Sequence, residues 1–285
     1  MSVAGATGRG SPGGGQDAGG TARRPRLGQH FLADPNLLDA IVRDSGVGPD
    51  DVALEVGGGA GALTERLAPA VGHLHVVELD ERLREPLEAV AARAGNVSVV
   101  WGDAMRVDLG GLEPAPGTMV SNLPYSIATP LLVRTVEELP SLTTWTVMVQ
   151  REIADRLRAG PGSRLYGAPS AVLGLACEVG MIRAVDRAVF TPRPRVDSAL
   201  LRLRRRAPAP SPAVRDLIRA AFAHRRKSLP RSLELAAAAG GEPAPRELRE
   251  RAREALIEAG HRPDARAESL APAELAELAR RLGAT

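Results

Sequence analysis

Two apolar periods alternate along the first two thirds of this chain, and that alternation restricts its fold more than any other feature. Short β-branched runs lie at Val52–Val56, His73–Glu78, Val97–Trp101, Met119–Ser121 and Thr144–Gln150. Between them, apolar residues fall at helical spacing over Ala62–Leu67, Glu81–Arg93 and Thr129–Glu138, and the last strand runs on into a helix through Leu157. Strands that alternate with helices bury both their faces in a parallel sheet covered on each side. The rhythm therefore predicts an α/β fold with a doubly wound parallel sheet. A further helix is expected over Pro35–Ser45, with Asp34 as its N-cap and Pro35 in its first turn. Two more strands are expected near Ile182–Phe190 and Asp197–Arg204.

The segment Ala207–Pro212, rich in proline, reads as a linker. Beyond it only helices are expected: Ala213–Ala223, Ser228–Ala239, Arg246–Ala259 and Pro272–Leu282. A length of 285 residues accommodates two domains. The expected division is a disordered tail at 1–22, an α/β domain at 23–206 and a helical domain at 207–285.

Glu55-Val-Gly57-Gly58-Gly59-Ala60-Gly61 follows the first strand of the alternation and opens a helix. Glycines at such a turn let a ligand approach the backbone closely. Glu78 closes the next strand, where a carboxylate accepts the ribose hydroxyls of an adenosine. The turn alone also fits a dinucleotide fingerprint, or a tight strand-to-helix connection with no ligand. Asp103, after the third strand, can accept an adenine amino group, or else cap a turn. Asn122-Leu123-Pro124-Tyr125 closes the fourth strand and offers acceptors for an amine rather than a partner for hydride transfer. The Asn side-chain oxygen can take one N–H, a carbonyl beside Pro124 the second, and Tyr125 can stack on a base. Together these additions favour S-adenosylmethionine over a nicotinamide cofactor.

Charge is distributed unevenly. Arg183–Ser232 holds 14 Lys and Arg against three acids, a local excess of 11, so with a net charge of +3 the rest of the chain carries −8. A basic region joined to an acidic body points to a polyanion, here structured RNA. Arg202, Arg204, Arg225, Arg226, Lys227 and Arg231 are the candidate RNA contacts. The single cysteine, Cys177, rules out an intramolecular disulfide and a cysteine metal cage; it is expected in a helix as a small core residue. No metal is expected. With no apolar run of spanning length and no apolar leader, a cytoplasmic protein is expected, acting as a monomer away from membranes.

These motifs, in this order, resemble the ribosomal RNA adenine N6-dimethyltransferases, and most of all their small-subunit branch. Gly28-Gln29-His30-Phe31-Leu32 is similar to the family's N-terminal cofactor lid. Ser126–Pro130, Arg156–Gly167, Phe190-Thr-Pro-Arg-Pro-Arg-Val-Asp-Ser198 and the basic helix at Ala221–Leu229 resemble further family segments. The resemblance implies a Rossmann-like S-adenosylmethionine-dependent domain followed by a small helical domain that binds rRNA. It also implies dimethylation of two adjacent adenines in the 3′-terminal hairpin of 16S rRNA, within a small-subunit precursor. His30, Leu32, Gly57, Glu78, Asp103 and Asn122 would then contact the cofactor. Asn122 and Pro124 would hold the target amine, while Tyr125 and Phe190 would sandwich the base. The chain departs from the family at Gly58, where proline is usual, at Ala60, where leucine is frequent, and at His30, where asparagine is commoner. The competing readings are a 23S rRNA methyltransferase of the macrolide-resistance type and an RNA-binding assembly factor without catalysis.

Overall fold

The computed structural model describes residues 31–241 and 245–284, Ala33 excepted. His30 and the rest of the expected lid before Phe31 lie outside these residues, as do the tail and the Arg23–Arg26 arm. A seven-stranded sheet runs in the order β4-β3-β2-β5-β6-β9-β7. Its strands are β2 (Val52–Val56), β3 (His73–Glu78), β4 (Val97–Trp101), β5 (Thr118–Asn122), β6 (Thr144–Gln150), β7 (Cys177–Val185) and β9 (Ser198–Arg205). The β2–β6 strands are parallel, whereas β9 pairs antiparallel with both β6 and β7. The expected parallel sheet thus carries one reversed strand, β9, beside its edge strand β7. A separate two-stranded sheet joins β1 (Phe31–Leu32) to β8 (Phe190–Thr191).

Both sheet faces are covered, which explains the continuous apolar runs. Leu54, Met119, Val147 and Leu201 point to one core, shared with α4 (Ala128–Glu138), α5 (Arg151–Leu157) and α6 (Ala168–Ala176). Their neighbours Ala53, Val120, Met148 and Leu200 point to the other, packed by α1 (Pro35–Ser45), α2 (Ala62–Leu67) and α3 (Arg84–Ala94). This is the two-residue period of a pleated strand. Asp34 caps α1, its Oδ1 accepting the N–H groups of Asn36 and Leu37 at 2.8 and 3.2 Å. The first turn of the helix expected from Glu81 is instead 3₁₀, over Glu81–Leu83.

A third core is helical, formed by α7 (Pro212–Ala223), α8 (Leu229–Ala239), α9 (Pro245–Glu258) and α10 (Pro272–Arg281), with Tyr166 and part of α6. Helix α6 lies in the apolar stretch that was expected to be helical around Cys177. It ends at Ala176, so Cys177 opens β7 rather than sitting in a helix. The cysteine is buried, and burial pushes its thiol up to about 11, which makes it inert. No helix among the described residues is long and apolar enough to cross a membrane.

Candidate active site

Strand order reverses between β2 and β5, and ligands in open α/β sheets bind outside the carboxyl ends of strands at such a switch point. A crevice opens there, lined by Gly57, Gly58, Gly59, Glu78, Asn122 and Tyr125 among others. The glycine turn is packed closely. Gly57 has φ +82°, and a Cβ there would come 3.3 Å from Pro124 Cδ, so the turn after β2 rests directly on the loop after β5. At Gly58 a Cβ would lie 2.4 Å from Val76 Cγ1, and at Gly61 2.8 Å from Val90 Cγ2. The Gly58 departure therefore coincides with a space already filled by Val76.

Glu78 is buried at the end of β3 and ties this turn to its own strand. One carboxylate oxygen accepts the Gly59 N–H at 2.8 Å, and the other accepts those of Leu79 and Asp80, both at 2.8 Å. Glu55 stands beneath the turn, 1% exposed, and its Oε2 accepts the Thr64 hydroxyl at 2.7 Å. Burial, and secondarily the nearby Glu78 charge, push its carboxyl up to about 8 against the Thr64 hydrogen bond.

The loop after β5 is held from two sides. Ser121 Oγ accepts the Val56 N–H at 2.9 Å, and the Leu123 N–H donates to Met148 O at 3.1 Å. The Pro124 carbonyl accepts the Ile127 N–H at 3.1 Å and closes the turn into α4. The carbonyl beside Pro124 that remains for an amine is that of Leu123, to which no hydrogen bond is made among the described residues. Tyr125 is half-buried, lines the crevice, and shares a 2.8 Å hydrogen bond with Ser198 Oγ.

Leu32, Gly57, Glu78, Asn122, Pro124 and Tyr125 thus line one crevice. Asp103 and Phe190 do not. The Asp103 side chain turns back to accept the Met105 N–H at 2.9 Å and pairs with Arg106, so it caps its own turn. Phe190 is 3% exposed, packed in the apolar core beside Leu32, its ladder partner. Stacking on a base would require that small sheet to open. Leu38, Glu55 and Leu63 line the crevice without having been assigned to it. The acid before the glycine turn could have flagged Glu55; Leu38 and Leu63 carry only core spacing.

The basic residues divide between two places. Arg202 lies in β9 and its guanidinium bonds the Asp44 carbonyl, while Arg204 is exposed. Arg225, Arg226 and Lys227 sit in the turn between α7 and α8 rather than in a helix. Arg225 clamps Arg164 O and Glu268, both at 3.0 Å, and Arg231 pairs with Glu234 at 2.6 Å. Arg204, Arg226 and Lys227 are left facing solvent as candidates for phosphate contact.

The sequence profile of the ribosomal RNA adenine dimethylase family matches residues 20–246. Ribosomal RNA small subunit methyltransferase A from Rubrobacter xylanophilus is 44% identical over 92% of this chain and 97% of its own length. The Thermobifida fusca protein of the same name is 43% identical over 89% and 88%. Among solved structures, a dimethyladenosine transferase from Plasmodium falciparum superposes with a TM-score of 0.73 at 23% identity, covering 87% of this chain and 96% of that one. The 23S rRNA methyltransferase ErmE superposes at 0.62 and 29% identity, covering 89% and 99%.

Proposed function

The chain belongs to the ribosomal RNA adenine dimethylase family, and on that footing we propose that it transfers methyl groups from S-adenosylmethionine to the N6 amines of two adjacent adenines in the 3′-terminal hairpin of 16S rRNA. The observation that carries this reading is the shared crevice, in which the glycine turn and Glu78 meet Asn122–Tyr125 through the packing of Gly57 on Pro124. The turn, closed to any Cβ at Gly58 and Gly61, suits a ligand held by backbone, and Glu78 suits ribose hydroxyls.

When bound, S-adenosylmethionine supplies a methyl already activated by sulfonium charge. The chain's task is then positioning. Asn122 Oδ1 and the Leu123 carbonyl accept the two N–H groups of the target amine, turning its lone pair out of conjugation with the ring. The same oxygens stabilise positive charge as it develops on the nitrogen. Tyr125 stacks on the flipped base and offsets part of the cost of unstacking it, a few kcal/mol. No general base is required, since the proton can leave to water after transfer.

We assign the methyl-transfer part to residues 23–206 and rRNA docking to 207–285, with a monomer working in the cytoplasm on a small-subunit precursor. Identity of 44% to a small-subunit methyltransferase against 29% to ErmE favours the small subunit over 23S rRNA. The test is mass-spectrometric mapping of N6,N6-dimethyladenosine in both rRNAs from cells with and without the protein. Loss confined to the small-subunit RNA is expected; loss confined to the large-subunit RNA would overturn the assignment.

A further inference from the structure

Stacking uses the face of the Tyr125 ring and has no need of its hydroxyl. That hydroxyl nevertheless has a dedicated partner. Ser198 is fully buried at the start of β9, and its Oγ lies 2.8 Å from the phenol oxygen, 73 residues away in sequence. Three strand ends meet at this point. Ser198 pairs across the sheet with Gln150, the last residue of β6, and with Val185, the last of β7. Its neighbour Asp197 is held as well, its carbonyl accepting the Arg151 N–H at 2.9 Å and its carboxylate the Arg187 N–H at 3.4 Å. The anchor therefore stands on the sheet, while the ring it holds stands on a loop.

A hydrogen bond at the para position fixes the long axis of the ring. Burial raises the pKa of this phenol, so it keeps its proton and can donate. We propose that Ser198 is a positioning residue for methyl transfer: by holding the Tyr125 hydroxyl, it sets the plane on which the target base rests. This rests on the reading above, in which Tyr125 stacks on that base. The bond also ties the loop after β5 to the end of the Phe190–Ser198 segment, where β9 begins.

The test measures methyl transfer from S-adenosylmethionine to undermethylated small ribosomal subunits by Tyr125→Phe, Ser198→Ala, their double variant and Ser198→Thr. Each single deletion should lower kcat about tenfold, the weight of one hydrogen bond, with the KM for S-adenosylmethionine held within about twofold. The double variant should fall no further than the weaker single, because both remove the same bond. Ser198→Thr, which keeps a hydroxyl, should recover most of the rate. Native kcat in Tyr125→Phe, or losses that multiply in the double variant, would overturn the anchor. Should Ser198→Ala fail to fold, Tyr125→Phe decides alone, since it opens no cavity in the strand seam. A native chain that transfers no methyl would remove the functional reading and the anchor together; an active native chain with indifferent variants removes the anchor only.

Discussion

Glu55 is a buried carboxyl whose stability consequence can be worked out with its sign. Its folded carboxyl titrates at about 8 against an ordinary 4.5. Between those values the folded chain keeps a proton that the unfolded chain has lost. Stability is therefore fully present below roughly pH 4.5, falls as pH rises towards about 8, and levels off above, with a slope approaching about 1.4 kcal/mol per pH unit. Glu55→Gln keeps an oxygen for the Thr64 hydroxyl and removes the titration. Its denaturation midpoint should decline less than the native one between pH 5 and pH 8, and equal declines would contradict the assignment. Much of the crevice lining was legible at this scale, because Glu78 and Asn122 close strands and strand ends are where sheet ligands gather. Ser198 was legible only as part of a family segment, since its partner lies 73 residues away. Asp103 was ambiguous at this scale: a short acid after a strand can serve its own turn as readily as a ligand.

Elements were readable wherever one face differed from the other. Helix α1 announced itself by its cap and its apolar stripe, and strands β2–β6 by length and β-branched content. Helix α6, Ala168–Ala176, is buried by the sheet core on one side and the helical core on the other, so it has no polar face to give a period. The antiparallel sense of β9 was likewise hidden, because direction depends on the connection and not on the strand's own residues. β9 also ends in a device that charge counting misreads. Arg205 donates to the carbonyls of Leu142, Val136 and Leu139 at 2.7, 3.1 and 3.0 Å and lies 5.2 Å from the centre of the Trp145 ring. It closes the C-terminus of α4 rather than facing RNA. Arg205→Ala should cost about 2–3 kcal/mol of stability in a denaturant titration. A change below about 0.5 kcal/mol would show those carbonyls to be satisfied by solvent.

Across the whole molecule, the sheet part and the helical part are joined by ion pairs as well as by packing. Arg215 and Arg219 of α7 pair with Glu137 of α4 at 2.5 and 3.2 Å, so part of the basic excess fastens the helical part to the sheet part. Arg204, Arg226 and Lys227 are among the basic residues that stay exposed. Charge counting thus overstates the surface open to a polyanion. The central claim is that one crevice presents a target amine through Asn122 and the Leu123 carbonyl. It is tested most directly by counting methyl groups on the 3′-terminal hairpin of small-subunit RNA after incubation with saturating S-adenosylmethionine and either native protein or Asn122→Ala. Two dimethylated adenines with the native chain, and none with a folded Asn122→Ala, is the predicted result. Near-native methylation by that variant would contradict the claim.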